Sequence, residues 1–193
     1  MNTTYHIDAP SISSPRRGTQ FLIVLAAAVI LSASLLSADE LIKNGGFEEG
    51  TSGWWGPGLK SGGVVSDHAG AGANCMNLSE GFICQDKRPV EGGKSYKISM
   101  KIRSESAPEG SVYVQVSFRG EGVKPGWYGT EVASVEGRSE KALFVTGGAQ
   151  EWKEYSSVID APANATEMLI YLRKLGGTGG VASFDDVKIE PAN

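Results

Sequence analysis

Tyr96, Ile98, Met100 and Ile102 alternate with Lys97, Ser99, Lys101 and Arg103, the two-residue repeat of a strand with one face buried and the other wet. A second apolar row follows at Val112, Val114, Val116 and Phe118, leaving Tyr113, Gln115, Ser117 and Arg119 on the opposite face. Met168, Ile170 and Leu172 make a third, opposed by Leu169, Tyr171 and Arg173, and Val187 with Ile189 a last short one. Beyond the leading segment no stretch repeats at helical spacing. Glycine and proline break the rows at Pro108 to Gly110, Gly120 to Gly129 and Gly176 to Gly180. Short strands punctuated in this way predict an all-β fold, an antiparallel sandwich.

The first 38 residues read differently. Arg16 and Arg17 precede the apolar run Phe21 to Leu31, no charge occurs from Gly18 to Ala38, and small residues collect at Ser32, Ala33, Ser34, Ser37 and Ala38. That is the layout of an export signal, with cleavage predicted after Ala38. The alternative is an uncleaved anchor, since the uncharged stretch is long enough to cross a hydrocarbon core of about 30 Å. Either reading makes residues 39–193 a single domain outside the cytoplasm: secreted, periplasmic or on the cell surface, with a membrane as partner only in the uncleaved case.

Charge and composition then remove several function classes. The chain carries 18 Lys and Arg against 22 Asp and Glu, a net charge of -4, with no basic run, which argues against nucleic acid and other polyanions as partners. Only two histidines occur, and one lies in the leading segment, so a multi-histidine metal site or a histidine-based triad would rest on His68 alone. Gly177 to Ala182 matches the glycine string of dinucleotide-binding folds, but no helical pattern follows it. Cys75 and Cys84 lie close together around Gly81 in an exported chain. A disulfide across adjacent strands or a loop is therefore expected, contributing roughly 2.5 kcal/mol on the chain-entropy account.

Four motifs carry a family resemblance. Leu41 to Gly50 (LIKNGGFEEG), followed by Gly53-Trp54, resembles the opening strand of carbohydrate-binding modules of families four, nine, sixteen and twenty-two. Gln85 to Val90 with Gly92-Gly93-Lys94-Ser95-Tyr96 resembles their passage into a long strand, although Lys87 and Arg88 interrupt its apolar spacing. Glu151-Trp152-Lys153-Glu154-Tyr155 resembles their tryptophan-tyrosine strand, and Phe184-Asp185-Asp186-Val187-Lys188-Ile189 their closing one. The resemblance implies a galactose-binding-like jelly roll that is non-catalytic and usually accompanies glycoside hydrolases. The chain leaves no room for a catalytic domain, so any hydrolase partner is expected in trans. Trp54 and Trp152 match packing positions of the family and are assigned to the core.

The resemblance also implies a structural Ca²⁺ between the first and last strands. With Val187 and Ile189 inward, Asp185 has the same parity, and an unpaired carboxylate there calls for a cation. Glu48 would supply a second oxygen and backbone carbonyls the remainder. The alternative puts Asp185 at a frayed strand start and Asp186 in solvent.

A pyranose presents an apolar C–H face and a rim of hydroxyls, which proteins meet with flat rings and planar polar groups. Trp127 and Tyr128, in the Gly- and Pro-rich segment 120–129, are the candidate platforms; the alternative is that they tuck back onto the sandwich. Tyr113, Gln115 and Arg119 on one strand, and Tyr171 and Arg173 on another, are candidates for hydroxyl recognition, or else an ordinary solvated sheet face. Trp55 cannot share Trp54's side of a strand and stays unassigned. The expected function is non-catalytic binding of a poly- or oligosaccharide. A structural or adhesive surface protein that keeps the fold without sugar binding is the alternative, and a small hydrolase with two facing carboxylates a further one.

Overall fold

A computed structural model describes residues 41–192 apart from 136 and 178, so the predicted export signal lies outside the described residues. After a single 3₁₀ turn at Pro57–Lys60, eight strands follow: β1 (Gly62–Val65), β2 (Cys75–Leu78), β3 (Gly81–Pro89), β4 (Ser95–Arg119), β5 (Glu131–Val135), β6 (Arg138–Asp160), β7 (Glu167–Lys174) and β8 (Val181–Pro191). Every pairing is antiparallel.

The two longest strands serve two sheets each. Residues 95–105 of β4 lie between β8 and the second half of β6, giving sheet one in the order β1-β2-β8-β4-β6. Residues 112–119 of β4 pair with β7, and β7 with β3; the first half of β6 touches β4 at Val114 and carries β5. Sheet two therefore runs β3-β7-β4-β6-β5. The β4–β6 register slips repeatedly between Ile102 and Val114, where both strands pass from one sheet to the other.

The alternating rows account for the core. Tyr96, Ile98, Met100, Ile102, Phe184, Val187 and Ile189 from sheet one meet Val112, Val114, Val116, Phe118, Met168, Ile170 and Leu172 from sheet two in one buried cluster. All-β architecture and strand parity agree with the sequence pattern. Burial of this apolar area is the main stabilising term, at about 25 cal/mol per Å² removed from water.

Residues 41–50 are bends and turns rather than the expected opening strand. The Asn44 side chain holds them: its Oδ1 accepts from Glu49 N (3.0 Å) and its Nδ2 donates to the carbonyls of Gly50 (2.9 Å) and Ser52 (3.1 Å). Phe47 is thereby driven into the core beside Trp54, ring centroids 5.3 Å apart, and Trp54 Nε1 donates to Asn44 O at 3.0 Å. Gly45 lies against β8, accepting from Val187 N at 3.0 Å. A Cβ on Gly45 would stand 2.0 Å from Val187 O, which only glycine avoids.

The expected disulfide is absent: Cys75 and Cys84 are buried free thiols. Met76 and Leu78 turn inward from sheet one, so Cys75, the residue before Met76, turns outward; Ile83 turns inward from sheet two, so Cys84 turns outward on the other side. Packed sheets stand about 10 Å apart, whereas a disulfide needs Cα atoms within about 7 Å. Burial pushes the thiols up, to about 11 for Cys75 and about 12 for Cys84.

Candidate functional site

The outer face of sheet two gathers the rings. Cross-strand register sets Phe82 beside Arg173 and Arg173 beside Tyr113, and in the next row Cys84 beside Tyr171 and Tyr171 beside Gln115. The segment between β4 and β5 adds Trp127, whose ring meets Tyr171 edge to face at 5.2 Å and 85°. Tyr171 meets Phe82 at 5.3 Å, and Phe82 meets Trp55 at 6.3 Å, again tilted toward edge-on. The guanidinium carbon of Arg173 lies 4.8 Å from the centre of Phe82 and 5.2 Å from each of Trp127 and Tyr171, within cation–π range of all three. Trp55 is 46% exposed at the outer end of this row, its Nε1 donating to the Asp86 carboxylate at 3.4 Å. A shallow cavity of about 420 Å³, lined by Pro57, Lys60, Ser61, Glu80, Gly81 and Gly176, carries no ring.

The remaining candidates separate. Tyr128 pairs with Val116 on the edge of β4, its N–H donating to Val116 O at 2.8 Å, and its ring packs inward on Phe118 at 5.0 Å. Adjacent residues of an extended segment face opposite ways, so Trp127 alone of the two reaches the outer face. Because Tyr128 occupies that edge, residues 138–142 of β6 pair with β5 instead, and this hairpin closes over its neighbours. Tyr113 is consequently buried with Ala133 and Ala142 and presents no ring to solvent. Gln115 is also buried, donating from Nε2 to the Glu140 carboxylate at 2.8 Å. Arg119 shares the face but stands at the exposed end of β4, 4.0 Å from Glu167.

Three side-chain polar atoms are buried without a hydrogen-bond partner: Ser111 Oγ, Gln115 Oε1 and Arg173 Nε. Burial also pushes the Tyr171 phenol up, keeping it neutral and able to donate and accept. Phe82 is not among the candidates from sequence, and Trp55 is left unassigned there. The parity of Phe82 against Ile83 was visible there, but not that β3 pairs with β7, which sets Phe82 beside Arg173.

A second cluster lies on the outer face of sheet one, around residues 68–74. Opposite Ser99 to Lys101, β8 carries one extra residue, a bulge with Asp186 at φ 51°. The bulge reverses parity, so Asp185 turns outward with Lys101 rather than inward with Val187. It is nevertheless buried, because the loop covers it: Oδ2 accepts from Gly70 N (2.8 Å) and Ala71 N (2.7 Å), and Oδ1 from Asp186 N (2.6 Å). Burial raises its pKa against the lowering effect of these three donors. Glu48 grips the far end of the same loop, Oε1 accepting from Ala73 N (2.7 Å) and Asn74 N (3.1 Å), and those bonds hold its pKa down. Lys101 Nζ donates to Gly70 O at 2.9 Å. Trp152, assigned to the core from sequence, instead half-buries itself on this loop, its ring against Gly70 and its Nε1 donating to His68 O at 2.7 Å. Among the described residues no three His, Cys, Asp or Glu side chains cluster into a metal cage.

Solved structures share this architecture. The chain is similar to a family 16 carbohydrate-binding module (17% identity, TM-score 0.57, covering 78% of this chain and 99% of that one). It is similar to the CBM22-1 xylan-binding domain of Paenibacillus barcinonensis Xyn10C (18%, 0.58, 80% and 95%). It is also similar to TmCBM61, solved with β-1,4-galactotriose (19%, 0.53, 79% and 99%). In sequence no curated protein matches. Residues 39–174 match the model of a carbohydrate binding domain, CBM_4_9, and the chain belongs to that family of carbohydrate-binding modules, a domain non-catalytic in itself.

Proposed function

We propose that the outer face of sheet two holds a glycan chain, with Trp127 as the principal platform, Tyr171, Phe82 and Trp55 extending the apolar track, and the Arg173 guanidinium bonding hydroxyls, while Gln115 is buried beneath the β5–β6 hairpin. The observation that carries this reading is the coincidence of a ring track with a guanidinium, that of Arg173, which lies among the rings with no hydrogen-bond partner among the described residues. A ligand oxygen accepting from the guanidinium supplies the hydrogen bond that the rings do not, about 1.5–3 kcal/mol for a bond to a charged group. Stacking one sugar face of about 60–100 Å² on an indole adds roughly 1.5–2.5 kcal/mol, so affinities in the micromolar to millimolar range follow. The likeness to a xylan-binding domain and to a galactotriose complex supports a poly- or oligosaccharide ligand.

A structural Ca²⁺ belongs to the same proposal. Glu48 and Asp185 supply the hard carboxylate oxygens that Ca²⁺ prefers, and both already hold the loop 70–74, whose carbonyls would complete the shell. Asp185 is buried and no Lys or Arg pairs with it among the described residues, so the donor set fits a cation in kind. We further infer export, on the strength of residues 1–38, and action beside a glycoside hydrolase.

Affinity electrophoresis against xylan, β-1,4-galactan, β-glucan and acidic polysaccharides tests the reading. Retardation by at least one of them, abolished in Trp127→Ala, is expected; no retardation by any would leave the structural or adhesive role.

A further inference from the structure

Arg173 differs from the other arginines that flank sheets one and two. Arg103, Arg119 and Arg138 each have a carboxylate oxygen within 4.0 Å. Arg88 donates to two backbone carbonyls, of Asp86 and Leu41. Among the described residues Arg173 has neither an ion pair nor a hydrogen bond: its neighbours are the faces of Phe82, Trp127 and Tyr171, and its Nε is shut from water with no acceptor. Rings attract the cation but supply no acceptor for its N–H groups. A guanidinium is always charged, and its flat fork of donors matches the paired oxygens of an anion. Rings on three sides lower the local dielectric and strengthen any charge pairing made beside them.

We propose that Arg173 reads an anionic substituent on the bound sugar, a carboxylate or a sulfate ester, so that the glycan of this face is an acidic polysaccharide. The inference rests on the proposed sugar-binding face and narrows its ligand. Trp127 and Tyr171 stack the pyranose, and the anionic group meets the Nη edge of the Arg173 guanidinium, the side that is not shut from water. Glu140, which joins this face through Gln115, is engaged by Gln115 Nε2 and by Arg138, and among the described residues no carboxylate lies within ion-pair distance of Arg173. The chain's net charge of -4 opposes an anion only at long range, and physiological salt screens it beyond about 8 Å. The absence of a basic run fits as well: one guanidinium recognises one anionic group at a time, not a continuous charged backbone.

The test titrates the full chain, by calorimetry, with matched pairs that differ in charge alone. These are polygalacturonate and its methyl ester, alginate and its carboxyl-reduced form, and a sulfated galactan and its desulfated form. Expected is an affinity at least about tenfold higher for the charged member of one pair, the equivalent of one charge-assisted bond. In Arg173→Gln that ratio should fall to about one, and in Arg173→Lys, which keeps charge but not the fork, to an intermediate value. Melting curves of both variants confirm that they fold, and Arg173→Lys serves if Arg173→Gln does not. The carboxylate pairs and the sulfate pair identify the source of the charge. Equal binding of charged and neutral members, or a ratio unchanged in Arg173→Gln, overturns the anionic ligand while leaving the sugar-binding face intact. Binding of no glycan, charged or neutral, overturns both.

Discussion

Trp127 and Tyr128 are consecutive, yet their rings lie on opposite sides of sheet two: Trp127 stands against Tyr171 on the outer face and Tyr128 against Phe118 in the core. The two substitutions should therefore part company. Trp127→Ala should weaken glycan binding about tenfold or more, the loss of one stacking face, with little change in unfolding. Tyr128→Ala should instead cost about 1–3 kcal/mol of stability. Urea unfolding read beside affinity electrophoresis separates them, and equal stability losses in both variants would refute the assignment.

Chelation addresses the loop 70–74. A cation at a concentration about a hundred times its Kd stabilises by about 2.7 kcal/mol, which in a domain of this size moves Tm by about 5–10 °C. Melting the protein in excess Ca²⁺ and then in EDTA should show a drop of that order, abolished in Asp185→Asn. Superimposable curves would remove Glu48 and Asp185 as ligands.

The buried thiols set an alkaline limit. A free thiol titrates near 9.0, whereas Cys75 and Cys84 are pushed up to about 11 and about 12 by burial. Above about pH 9 the unfolded chain gives up these protons while the native chain keeps them, so the thiols' contribution is complete below pH 9 and is lost as pH rises toward 11 and 12. Stability between pH 8 and pH 10.5 should fall more steeply in the natural protein than in a Cys75→Ala, Cys84→Ala double variant; parallel slopes would contradict this. Reducing agent should leave Tm unchanged.

Gly45 and Gly63 make a controlled pair. A Cβ at Gly45 would collide with Val187 O at 2.0 Å, whereas one at Gly63 meets nothing within 4 Å. Gly45→Ala should destabilise by about 2 kcal/mol or more, parting the turn from β8. Gly63→Ala should be neutral or stabilise by up to about 1 kcal/mol through the unfolded chain. Denaturant midpoints of the two variants decide it.

Strand parity was legible because burial on one face forces alternation: Ile98, Met100, Val114 and Ile170 could be assigned inward without coordinates. Where one residue breaks the period, the same logic misleads. The bulge at Asp186 turned Asp185 to the other face, and a parity count from Val187 cannot see an insertion. The site was half legible for a related reason. Trp127, Tyr171 and Arg173 carry their chemistry in their side chains. The cover over Tyr113, the pairing of Phe82 with Arg173 and the separation of Cys75 from Cys84 depend on which strands meet, a long-range choice that local pattern leaves open.

The order of strands within each sheet has a consequence for how the chain matures. β8 sits between β2 and β4, and β7 between β3 and β4, so the interior position of both layers is filled by segments synthesised after the strands they join. Until they emerge, β2, β3 and the long β4 expose ladder edges with nothing to bond, the condition under which nascent β proteins self-associate. The remote partners also predict slow assembly. Loss of Val181–Pro191 would remove the keystone of sheet one.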